Sequence, residues 1–102
     1  MSNRKSYNTN VKPIITEIEF YSLMLKSNFG SKLIEIIKGY QDDKKIMKII
    51  YNHSLKMCSN KKNIYYRINS ICREIYCDIK NLKTLQEQRQ KIYEKTYKVS
   101  LL

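Results

Sequence analysis

At 102 residues and 42% hydrophobic content, the chain is sized for one core and is too apolar for disorder to be its default. Two glycines and one proline are too few for the many turns of an all-β fold and favour long helices. A net charge of +11, from 20 Lys and Arg against 9 Asp and Glu, implies attraction to phosphates, anionic membranes or acidic protein surfaces.

Residues 1–12 read as a flexible basic tail, with Glu17 the first acid of the chain. Pro13 suits a first helical position, where its fixed φ costs nothing and no donor is needed. From there Ile14, Ile18, Tyr21 and Leu25 recur at helical spacing, widened by Ile15 and Met24, and predict a first helix to about Lys26. Thr16 and Glu19 have the spacing of a capping box and offer an alternative start. Gly30 is expected to end this helix and Ser31 to cap the next. The second helix, about Lys32 to Gly39, is apolar on most sides and has to be buried on several. Gln41-Asp42-Asp43 breaks it and starts a third helix, about Lys44 to Met57, with Ile46, Ile50, His53 and Met57 on one face. Ser59-Asn60 ends the third helix and caps the fourth. Ile64, Ile68, Ile71, Ile75, Ile79, Leu82 and Leu85 then step by three or four, predicting one long helix that continues to about Tyr97. Its polar end, with Glu87 four before Lys91 and Glu94 four before Lys98, is expected to project from the body or to join a partner helix. The expected fold is all-α: one helical domain over 13–98, a small bundle of about four helices with a long C-terminal helix, frayed over 99–102.

Charge is uneven. Residues 41–102 carry fourteen Lys and Arg against six acids, whereas 1–40 carry six against three. Sixteen Lys, fifteen Ile, nine Asn and nine Tyr all have A/T-rich codons, so base composition raises part of the total. What carries more information is local. Along the fourth helix the cations Arg67, Arg73, Lys80, Lys83 and Arg89 alternate with Tyr65, Tyr66 and Tyr76. Cations interleaved with aromatic rings can follow a nucleic-acid backbone while stacking on bases. The plain alternative is a solvated face whose tyrosines reach out from the core edge.

Catalytic chemistry finds little support. His53 is the single histidine and reads as a core or edge residue. Cys72 next to Arg73 and the pair Glu74 and Asp78 are the nearest approach to a reactive group, and no Gly-rich phosphate loop is present. Three cysteines without a CxxC fit a reducing compartment and read as small buried apolar side chains, not metal ligands. No cofactor is implied. No apolar run is long enough for a membrane span and no secretory signal opens the chain. The expected setting is intracellular, cytoplasm or nucleus, with the mitochondrion as an alternative.

Phe20-Tyr21-Ser22-Leu23-Met24-Leu25-Lys26 resembles the Leu-Tyr-Arg-x-Leu-Leu-Arg segment of the LYR adaptors, with Ser22 at the arginine position. The resemblance implies a small helical mitochondrial adaptor that holds acyl carrier protein, an acidic partner. The leading expectation is a non-enzymatic basic helical module that engages an acidic protein or nucleic acid through its C-terminal half. Its alternatives are an obligate subunit, homo- or hetero-oligomeric through its helix faces, such an adaptor, and a viral or parasite accessory protein.

Overall fold

The computed structural model of the chain describes the backbone of residues 14–101 and the side chains of residues 14–96. The basic tail expected over 1–12 and the Pro13 start lie outside those residues, as do Leu102 and the side chains of the end expected to fray over 99–102, whose backbone is helical as far as Leu101. Five helices follow one another, and no strand occurs among the described residues: α1 (Glu17–Lys26), α2 (Asn28–Ile37), α3 (Asp43–Met57), α4 (Lys61–Ile79) and α5 (Leu85–Leu101). The all-α small bundle is borne out.

Short polar side chains set the helix starts. Thr16 Oγ1 accepts the Glu19 N–H at 3.1 Å and Glu19 Oε1 accepts the Thr16 N–H at 3.3 Å, so the capping box, not Pro13, begins α1. Ser27 closes α1 and also opens α2, its Oγ accepting the Gly30 N–H at 3.0 Å. The expected cap pair shifts accordingly. Gly30 lies inside the first turn of α2 and Ser31 is not the N-cap. The reason is steric: Gly30 is pressed against Met24 and Ser27, where no Cβ fits. Asn60 caps α4 through its Oδ1, 2.9 Å from the Asn63 N.

The long C-terminal helix is two helices. α4 stops at Ile79 and α5 begins behind a second capping box, in which Thr84 Oγ1 accepts the Glu87 N–H at 3.1 Å and Glu87 accepts the Thr84 N–H at 3.1 Å. The chain reverses there, so α5 does not project. It packs against α3 and α4 through Ile92, which is fully buried. Arg89 Nε and Nη2 hold both oxygens of Asp42 at 2.9 and 2.6 Å, Tyr40 donates to Gln88 at 3.0 Å, and Lys95 reaches Asp78 at 2.6 Å. That use of the Asp42 carboxylate explains why it makes no cap to α3. Glu87 is spent on the cap, so Lys91 pairs with Glu94 at 3.7 Å instead.

The core is dominated by isoleucine. Ile64, Ile68, Ile71, Ile75 and Ile79 form the spine of α4, against which α1, α2, α3 and α5 pack. Leu33, Ile34 and Ile37 enter from α2 and Ile46 and Ile50 from α3. On α1 the expected stripe is turned outward. Phe20 and Met24 are buried, while Ile18 is 80% and Leu25 48% exposed. Two contacts set this rotation: Met24 is clamped against Gly30, and Phe20 packs edge-on against Tyr51 with centroids 5.5 Å apart. Burying the larger Phe20 and Met24 leaves the Ile18 side without a cover.

Candidate functional site

α4 has two unlike sides. At about 100° per residue, Lys62, Tyr65, Tyr66, Asn69, Arg73, Tyr76 and Lys80 fall within roughly 100° of arc, opposite the isoleucine spine. Tyr65 is 52% and Tyr66 75% exposed, far more than a tyrosine anchored at a core edge requires. Lys62, Arg73 and Lys80 are exposed between them, and Lys83 follows in the turn after α4.

The arc extends onto α2. Asn69 Oδ1 accepts the Phe29 N–H at 2.8 Å, which satisfies a free donor at the start of α2 and fixes α2 against this side of α4. The Phe29 and Tyr76 rings meet with centroids 5.7 Å apart. Lys32 Nζ lies 5.1 Å from the Phe29 centroid and 6.0 Å from that of Tyr76, and Lys80 Nζ lies 5.9 Å from Tyr76. Two ammonium groups are thus attracted to one half-buried ring, which holds them where an anion could meet both.

Carboxylates are placed elsewhere. Glu17 pairs with Lys48 at 3.4 Å, Glu19 with Lys61 at 2.8 Å and Glu35 with Lys38 at 3.6 Å. Asp42, Asp78 and Glu94 are paired with residues of α5 as above, and Glu87 caps that helix. The two acids of α4, Glu74 and Asp78, lie about 80° or more beyond either edge of the arc. Among the described residues Lys32, Lys62, Arg73, Lys80 and Lys83 form no ion pair, so their charge is uncompensated locally.

Five of the eight residues expected from sequence share this surface: Tyr65, Tyr66, Arg73, Tyr76 and Lys80. Lys83 borders it. Arg67 and Arg89 are not brought to it. Arg67 lies across the helix and donates to the Met57 carbonyl at 2.7 Å, closing the α3–α4 turn. Arg89 is the α5 clamp on Asp42, whose carboxyl it holds below the ordinary carboxylate range. Sequence reasoning missed Phe29, Lys32 and Asn69. Asn69 was legible from the same helical spacing, but the two α2 residues reach the arc only through the α2–α4 packing.

The remaining reactive groups are quiet. Cys72 is buried and its thiol is pushed up to about 12 by that burial, the reverse of activation by Arg73, whose side chain is exposed. Cys58 is buried as well, but Cys77 is exposed, so only two thiols fit the buried reading. Among the described residues no group of three or more His, Cys, Asp or Glu is placed to hold a metal ion, and no helix is long and apolar enough to cross a membrane.

His53 is 7% exposed, with its Nδ1 buried and lacking a hydrogen-bond partner. Burial, and then Lys95, push its pKa below the ordinary 6.5, against the pull of Glu74. As pH falls through 6.5 the unfolded chain takes up a proton that the folded chain resists, so stability is full above 6.5 and is lost on acidification. Melting curves from pH 7.5 to 5.5 should show Tm falling in the native chain and a flatter profile in His53→Gln. Equal slopes would show that His53 does not contribute.

The Phe20–Lys26 segment that resembles the LYR motif lies along α1, with Phe20 and Met24 in the core and Tyr21 and Leu25 outward. No protein-family model, no curated protein and no solved structure matches the chain.

Proposed function

We propose that this chain is a non-enzymatic helical module that binds single-stranded nucleic acid along the α4 arc. One observation carries the reading: the exposed rings of Tyr65 and Tyr66 share a face with cations that form no ion pair among the described residues. An acidic protein would be served by the cations alone. Exposed planar rings between them favour bases, because every base presents a face on which tyrosine stacks, worth about 1–3 kcal/mol each. From Lys62 to Lys80 the arc is about 27 Å long at 1.5 Å per residue, enough for a short stretch of strand.

Fluorescence anisotropy with a labelled 12-nucleotide single strand tests this. Five cations at the site give a log–log salt slope of about −3.5, or roughly a 100-fold loss of affinity between 50 and 200 mM salt. Tyr65→Ala/Tyr66→Ala should weaken binding about tenfold or more at fixed salt and leave the slope unchanged. Binding that ignores salt would remove the reading. Displacement of the oligonucleotide by polyglutamate at equal charge, with no effect of the tyrosine variant, would reassign the face to an acidic protein.

A further inference from the structure

We propose that the outward face of α1 and the groove beside it form a two-fold interface with a second copy of this chain. Ile18, Tyr21 and Leu25, spaced three and four apart, make one ridge that is 80%, 37% and 48% exposed. Single exposed apolar residues are ordinary on a protein surface, but a continuous ridge next to a recess is not. The recess is a groove of about 510 Å³ between α1, the end of α2 and the start of α3, with Ile34, Ile37 and Met47 in its walls. An isologous contact needs both shapes on one patch, because each copy has to offer the projection and the pocket that receives it.

Charge selects the second copy over other occupants. The charged residues lining the groove are Glu17, Asp43, Lys38 and Lys44, a net of zero on a chain of net +11. An acidic partner or an anionic membrane would be matched by a wholly basic rim. A balanced rim matches itself under a two-fold, where the acids of one copy meet the lysines of the other as the exposed Glu17–Lys48 and Lys38–Glu35 pairs exchange partners. α1 has the same property, with Glu17 and Glu19 in its first turn and Lys26 in its last. Two antiparallel copies would set opposite charges and opposite dipole ends side by side. No residue of α4 or α5 lines the groove, so the dimer leaves the α4 arc open.

Sedimentation equilibrium of the full chain, over micromolar to millimolar concentration, reads the result. The native chain should fit a monomer–dimer equilibrium. Ile18→Glu, at a position too exposed to matter for the fold, should weaken it at least about 30-fold, the loss that a central anchor carries, with an unchanged melting curve at concentrations where the native chain is also monomeric. A second pair of variants tests the rim. Lys38→Glu/Lys44→Glu and Glu17→Lys/Asp43→Lys should each stay monomeric and should pair with each other when mixed. A native chain that is monomeric throughout overturns the proposal. So does a dimer that Ile18→Glu leaves intact, or variants that fail to pair. A monomer that binds phosphatidylserine vesicles through Ile18 would also overturn it and give the ridge to membranes.

Discussion

Gly30→Ala should destabilise the protein by about 1–3 kcal/mol, although the same substitution in an open helix stabilises by up to about 1 kcal/mol. The sign therefore decides whether the α1–α2 contact is as close as described. A Cβ at Gly30 would fall inside contact distance of Ser27 Oγ and the Met24 carbonyl oxygen, and 2.8 Å from Met24 Cα. Two of these three are backbone atoms and cannot swing aside. Relief requires opening the one-residue turn at Ser27, which would disturb both the Ser27 cap of α2 and the seat of Met24 in the core. For a domain of this size the loss corresponds to a Tm lower by roughly 4–8 °C per kcal/mol. Gly39→Ala is the control. Its Cβ would meet only the Ile36 carbonyl oxygen at 3.4 Å, so a change near zero is expected. Equal, small effects at the two glycines would show that α1 and α2 are not held together as described.

Ile92→Ala should cost about 2–5 kcal/mol, a large share of the roughly 5–15 kcal/mol that such a domain has in total. Among the described residues of α5, Ile92 is the fully buried apolar side chain, Tyr93 packs partly buried against the core, and the ion pairs of that helix are half-exposed. Exposed ion pairs contribute little each, so they do not replace the lost burial. The loss should be largest locally. In hydrogen exchange, α5 amides should lose protection before those of α4, because the α4 spine keeps its partners on α1, α2 and α3. Unchanged protection in α5 would mean that it docks by its polar clamps instead.

Much of this fold was legible in the sequence. The α4 spine of isoleucines, the Asn60 cap and the buried face of α3 follow from spacing and cap chemistry alone. The break before α5 was also written there. Thr84-Leu85-Gln86-Glu87 has the same cap signature as Thr16–Glu19, but the unbroken step from Ile79 to Leu82 and Leu85 masked it. The rotation of α1 was not legible. Both of its sides carry apolar residues, and which one turns inward is set by the Gly30 and Tyr51 contacts, made with residues from the next two helices. The same limit applies to the site. Helical spacing places Tyr65, Tyr66, Arg73, Tyr76 and Lys80 on one face. It cannot show that Arg67 and Arg89 are committed to the fold, since the Met57 carbonyl and Asp42 come from elsewhere in the chain.

The most direct test of the α4 arc is an NMR titration of the uniformly ¹⁵N-labelled protein with an unlabelled single-stranded oligonucleotide at 50 mM salt. The shifts expected are confined to Lys62, Tyr65, Tyr66, Asn69, Arg73, Tyr76 and Lys80, and to Phe29 and Lys32 on α2. Shifts centred on α1 or α5 with the arc unmoved, or no shifts at all, would contradict it.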